Sequence, residues 1–100
     1  MARRFYAKKT RLMTFRRLVL ARCERRCEVP GCVNRAESVH HMLKASTYPG
    51  LKFDIDNGLG VCGMHHVLIE QMLRKYPQCT EEVPKLYYPS SRWTIIKEKK

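Results

Sequence analysis

Acidic residues are scarce: nine Asp and Glu stand against twenty Lys and Arg in 100 residues, for a formal net charge of +11. The shortage is greatest in residues 1–35, where eleven Lys and Arg meet only Glu24 and Glu28, a local net charge of +9. Such asymmetry points to a polyanionic partner, because each cation that neutralises a phosphate releases condensed counterions. An acidic membrane surface or an acidic protein would be drawn by the same charge. No apolar run is long enough to cross a bilayer and no leader segment is recognisable, so neither a membrane partner nor an oxidising compartment is expected. There is no internal repeat, which excludes a repeat array. A chain this short also lacks the apolar surface for a comfortable core, so a staple is to be sought in a metal, a disulfide or a partner.

Five cysteines are present, at positions 23, 27, 32, 62 and 79. An odd number in a chain without a leader is expected in the reducing cytoplasm, with the thiols serving as metal ligands. Cys27 and Cys32 flank the Pro30–Gly31 turn of "CEVPGC", and Cys62 and His65 lie three apart at a helix start. Zinc prefers four tetrahedral nitrogen and sulfur ligands, and structural sites commonly join two such short-loop pairs, so a Cys3His zinc site is expected. Cys23 and Cys79 fit neither pair and are read as ordinary small apolar residues, with Cys79 exposed.

Along the chain, "MARRFYAKKTR" has no sustained period and is read as part of a flexible basic arm covering residues 1–13. From Thr14, read as an N-cap, Phe15, Leu18, Val19 and Arg22 recur at helical spacing. Arg16, Arg17, Arg25 and Arg26 give that helix a basic side suited to nucleic-acid phosphates. "AESVHHML" predicts a short strand, and a second is expected near residues 51–55 between the Pro49–Gly50 and Asn57–Gly58 breakers. The run from Met64 to Tyr76 predicts a helix stopped by Pro77. Together these place a core over residues 14–77. Residues 78–100 read as a β-prone extension, a second hairpin around "PSS" with a basic tail.

All four histidines fall in two doublets, His40–His41 and His65–His66. Consecutive helical residues point about 100° apart, so His65 and His66 cannot easily serve one site. His65 shares a stripe with Ile69, Met72, Leu73 and Tyr76, whereas His66 shares one with Glu70 and Arg74. A phosphodiester hydrolase needs a base for water and a cation for the charge on phosphate. Imidazole can act as the first and ligate the second, so His40 and His41 can divide those tasks.

The paired Cys27 and Cys32, "HH" at 40–41, "DIDN" ending at Asn57, and "CGMHH" from Cys62 to His66 resemble the HNH endonucleases of the ββα-metal fold, in their zinc-containing branch. The resemblance covers residues 15–75. It implies an α+β fold, a small zinc-stapled ββα-metal domain carrying an N-terminal basic helix and the C-terminal extension. It further implies His41 as general base, His40 and His66 as ligands of a catalytic divalent cation, and Asn57 as the residue that holds the loop and orients the base. Glu70 stands where the colicin-type nucleases carry a further histidine and is a candidate third ligand. His65 stands where many relatives have cysteine. The implied activity is DNA hydrolysis, by cutting or nicking, with one ion of Mg, Mn, Ni, Co or Zn and with Arg74 near a neighbouring phosphate. Small nucleases of this kind resemble those of bacteriophages and mobile elements. The competing expectations are a non-catalytic zinc-stapled nucleic-acid-binding module and a protein-interaction zinc domain.

Overall fold

A computed structural model of the protein describes residues 2–76 and 87–100, with the side chains of residues 2–10 left out. The order is helix α1 (Ala2–Arg22), strand β1 (Ser38–His41), strand β2 (Gly58–Val61), helix α2 (Gly63–Lys75) and helix α3 (Ser90–Lys97), with 3-10 turns at Pro49–Leu51 and Ile55–Asn57. The described part is thus a small α+β fold with three helices and one two-stranded antiparallel sheet. None of its helices is long and apolar enough to cross a membrane.

Helix α1 corrects the expected arm: the backbone is helical from Ala2, and Thr14 lies inside the helix instead of capping it. The cause is compositional, because Ala, Arg, Lys, Leu and Met are all strong helix formers and neither Gly nor Pro interrupts them. The helix ends where Glu24 and Arg25 take left-handed backbone angles, φ 53° and 58°, and Arg25 N–H donates to the Leu20 carbonyl at 2.9 Å. Its inward stripe is Phe15, Val19 and then Cys23, spaced by four.

That stripe rests on glycines. The register pairs Ser38 with Val61, Val39 with Gly60, His40 with Leu59 and His41 with Gly58. Side chains alternate along a strand, so Gly58 and Gly60 share one face of β2 and Leu59 and Val61 the other. A Cβ on Gly58 would lie 2.4 Å from Val19 Cγ2 and 2.9 Å from Phe15 Cζ, and one on Gly60 would lie 2.6 Å from Cys23 Sγ. The second strand is therefore "GLGV" and not the segment near residues 51–55. Its glycines are the condition for α1 to close on the sheet, while Pro49 and the Asp54 side chain, which accepts from Asp56 N–H at 2.9 Å, shape residues 49–57 into turns.

The opposite face of β2 supplies the core, where Leu59, Val61, Ile69, Leu43 and Ile96 are all buried. The outer edge of β2 is closed from the knuckle, which is the Cys27–Cys32 loop, and from α1. Glu28 accepts from Gly60 N–H at 2.9 Å, and Arg22 donates to the Ile55 and Gly58 carbonyls at 2.8 Å each and pairs with Glu28. No free strand edge is left there to template aggregation.

The C-terminal part is a second correction. Residues 90–97 form α3 and not a strand, while the portion of the expected hairpin within residues 77–86 lies outside the described residues, as does Cys79. Pro89, with φ −60°, stands at the helix N-terminus, and Trp93 and Ile96 at i and i+3 turn one face to the core. Packing of that face overrides the β preference of Thr94, Ile95 and Ile96. Lys99 pairs with Asp54 and Asp56 at 2.8 and 2.9 Å, and Arg92 with Asp56 at 3.5 Å, clipping α3 to the turn before β2. The Lys99 hydrogen bond holds the Asp56 carboxyl below its ordinary value.

Gly58→Ala is expected to lower stability by about 1–3 kcal/mol, because a methyl group must displace Val19 and Phe15 from a filled interface. Urea unfolding checks it, and an unchanged midpoint would show that α1 does not seat on β2.

Candidate metal centre and histidine cavity

The sulfur and nitrogen ligand atoms of Cys27, Cys32, Cys62 and His65 lie within 4.8 Å of one another, close enough to hold a metal ion. Each position has a local cause. Gly31, with φ 82°, and the Cys32 N–H···O=C Val29 bond at 3.0 Å fold "CEVPGC" back so that both of its thiols face α2. Cys62 caps α2, its Sγ accepting the His65 N–H at 3.4 Å, and His65 follows on the first turn. The Sγ–Sγ distance from Cys32 to Cys62 is 4.0 Å, and His65 Nδ1 lies 3.6 Å from Cys27 Sγ and 3.3 Å from Cys62 Sγ. Ligands about 2.3 and 2.0 Å from one tetrahedral ion would stand roughly 3.5–3.8 Å apart, so these distances are within a few tenths of an ångström of those a tetrahedral ion such as zinc would set.

Burial pushes the Cys27 thiol up to about 11. At Cys62 burial acts in the same sense but is outweighed by the His65 backbone N–H, the His65 ring, the Asn34 amide and Cys27, which bring that thiol down to about 6. One ready thiolate at a helix N-terminus is what a cation would meet first. Asn34 Nδ2, 3.8 Å from Cys62 Sγ, is a supporting donor that sequence reasoning did not single out. Cys23, half-buried over Gly60, stands apart from the cluster as expected.

The other three histidines line one cavity of about 460 Å³, together with Arg16, Glu70 and Tyr88. Strand alternation splits the first doublet. His41 shares the glycine face and stacks on Phe15 with centroids 5.0 Å apart and rings 9° from parallel, whereas His40 lies on the α2 face beside Tyr88. His41 Nε2 is 2.8 Å from the Lys52 carbonyl. A carbonyl only accepts, so Nε2 carries a proton, and in the neutral ring the lone pair is the one on Nδ1.

Asn57, fully buried, holds the loop that offers that carbonyl. Its Oδ1 accepts from Leu43 N–H at 2.7 Å, and its Nδ2 donates to the Leu43 carbonyl at 3.0 Å and the Leu51 carbonyl at 3.1 Å. His66 lies 2.9 Å from Ser38 Oγ through Nδ1 and 3.0 Å from Glu70 Oε1 through Nε2, with Arg74 pairing to Glu70 at 3.8 Å. Burial first, then the neighbouring His66 and His41, hold His40 down to about 4 against the opposing pull of Glu70, so it is neutral at neutral pH.

His40, His41, His66, Glu70 and Arg16 therefore come together from three separate elements. Arg17, Arg25 and Arg26 are exposed, and Arg16 is the one of these four arginines that lines the cavity. His40, His66 and Glu70 share the cavity without closing to mutual ligand distance. Among the described residues, the cysteine–histidine quartet is the one group of three or more that does so. Sequence reasoning missed Lys52, Ser38 and Tyr88. The first acts through its backbone, which no residue type announces, and the third lies in the segment expected as a strand. The chain matches no protein-family model, no curated protein and no solved structure.

Cys62→Ser is expected to lose bound metal and to unfold, since a structural ion supplies folding free energy that a core of this size cannot replace. Metal content by mass spectrometry and circular dichroism of the purified variant check it. A metal-free Cys62→Ser protein as stable as the parent would remove the staple.

Proposed function

We propose that the protein is a metal-dependent HNH-type endonuclease or nickase that hydrolyses DNA phosphodiester bonds, stapled by a structural zinc on Cys27, Cys32, Cys62 and His65. The observation that carries this reading is His41: its Nε2 is tied to the Lys52 carbonyl, its ring is stacked on Phe15, and it lines a cavity shared with His40 and His66, so that Nδ1 is the nitrogen with the lone pair in the neutral ring. A base fixed by its other nitrogen is poised for one task, removing a proton from water.

His41 Nδ1 takes a proton from a water molecule whose oxygen attacks phosphorus in line, and the bond to the leaving oxygen breaks. Stacking on Phe15 and the Asn57-held loop keep the imidazole from rotating during that transfer. His40 and His66, with Glu70, are the residues that would hold a catalytic divalent cation, neutral imidazole being a suitable ligand for Mn, Ni, Co or Zn and the carboxylate for Mg or Mn. Bound there, the ion would stabilise negative charge on the phosphate and on the leaving oxygen. Arg16 in the cavity wall adds a fixed positive charge for the phosphate, and the exposed Arg17, Arg25 and Arg26 extend the basic surface along α1 and the knuckle. The net charge of +11 suits a polyanionic substrate.

Supercoiled-plasmid nicking with added divalent ions tests the reading. The parent is expected to convert supercoiled to open-circle DNA, and His41→Ala to lose at least about 100-fold in rate while keeping its thermal midpoint and its DNA affinity. A parent that binds DNA but cuts it with no ion is instead a nucleic-acid-binding module. Arg16→Ala is expected to weaken DNA binding and to reduce the slope of log K against log salt by about one, read by fluorescence anisotropy over a salt series. An unchanged slope would take Arg16 off the phosphate.

A further inference from the structure

Tyr88 lines the cavity, and the proposed chemistry gives it no part. Its ring is buried at 4% exposure and packs on Trp93, with centroids 5.9 Å apart. Its hydroxyl makes two contacts, with His40 Nε2 at 2.7 Å and with the Met42 carbonyl at 3.4 Å. A phenol has one proton, and the Met42 carbonyl can only accept it. The arrangement that uses both contacts runs one way: His40 Nε2–H donates to the Tyr88 oxygen, and the Tyr88 O–H donates to Met42 O.

We propose that Tyr88 is a positioning residue for His40, fixing its Nε2–H tautomer so that Nδ1 is the nitrogen offered to a divalent cation. This rests on the nuclease reading for the identity of the ion. A ligating histidine commonly donates its second ring N–H to an acceptor that sets tautomer, orientation and basicity. Here that acceptor is a phenol and not a carboxylate, which orients the ring without adding a negative charge. His41 is set in the same way by the Lys52 carbonyl, so the two members of the doublet share one tautomer and differ in the acceptor that holds each.

The acceptor comes from outside the strand–strand–helix unit. Tyr88 stands two residues before α3, whose Arg92 and the following Lys99 pair with Asp54 and Asp56 of the turn leading to Asn57. The same turn region therefore bears on both histidines: through Asn57 on the loop that holds His41, and through α3 on the segment that brings Tyr88 to His40. The C-terminal helix is a component of the site on this assignment, and its loss would free His40 without touching any ligand.

The zinc-loaded full chain is used for the test. Long-range proton–nitrogen spectra of the parent are expected to show His40 as the Nε2–H tautomer. In Tyr88→Phe, which keeps the buried ring, that tautomer should no longer dominate, and the Kd for a second ion, probed with Ni²⁺ by calorimetry, should rise about tenfold with the thermal midpoint little changed. A parent with His40 in the Nδ1–H form, or a Tyr88→Phe variant that binds Ni²⁺ as tightly as the parent or more so, overturns the assignment. The latter result would make the hydroxyl a competitor of the ion. A parent that takes up one ion only and cuts no DNA removes the nuclease reading together with the role of Nδ1. Two ions and plasmid nicking with the wrong tautomer remove the Tyr88 assignment alone.

Discussion

The structure depends on a close approach: helix α1 lies directly on the backbone of β2, which the bare Cα atoms of Gly58 and Gly60 permit. Several candidate site residues stand next to that contact. Asn57 immediately precedes the strand, and Cys62 immediately follows it. His40 and His41 pair with Leu59 and Gly58 across it, and Phe15, pressed on Gly58, forms the surface on which the His41 ring lies. Because the other face of the strand is filled by Leu59 and Val61, the four residues of β2 are buried on both sides. A strand so constrained has no second register to adopt, since a slip of one residue would drive Leu59 into α1.

Around this strand, two polar arrangements do different work. The cysteine–histidine quartet brings the Cys27–Cys32 loop to the start of α2, with two of its thiols buried. The histidine cavity is built from side chains held by hydrogen bonds: His41 by a carbonyl and His40 by a phenol, each through Nε2, and His66 through both ring nitrogens, by a hydroxyl on one side and a carboxylate on the other. Such restraint costs rotamer freedom at folding and leaves the ring orientations preorganised. The quartet's ligand atoms are close enough to hold one ion, whereas in the cavity His66 and Glu70 are hydrogen-bonded to each other and His40 does not join them at ligand distance.

Much of the site was legible because its signals are local. Cys27 and Cys32 around Pro-Gly, and Cys62 and His65 at a helix start, carry their geometry in their spacing. The separation of His65 from His66 follows from helical pitch, and β1 was read at its observed place from the alternation around His40 and His41. Two of the misreadings share a tertiary cause and the third a local one. Gly58 and Gly60 look like breakers to any local rule, yet they form a strand because α1 needs the space. Thr94, Ile95 and Ile96 look like a strand, yet they form a helix because one face of it completes the core. The N-terminal lysines and arginines look like a solvated arm, yet nothing in residues 2–22 breaks a helix.

By itself, the sequence determined the residue types and the short-range spacings: two ligand pairs, two histidine doublets, the asparagine that ends "DIDN" and a basic N-terminal third. These are fixed by bond lengths and helical or strand pitch over a few residues, so they survive without knowledge of the rest. Only the tertiary structure decided which ring nitrogen of each histidine is occupied, and by what. The carbonyl of Lys52 lies eleven residues from His41 and the hydroxyl of Tyr88 forty-eight from His40, and both arrive there through packing. A hydrogen bond between residues so distant in sequence depends on where the core places two backbones, and no local pattern encodes that.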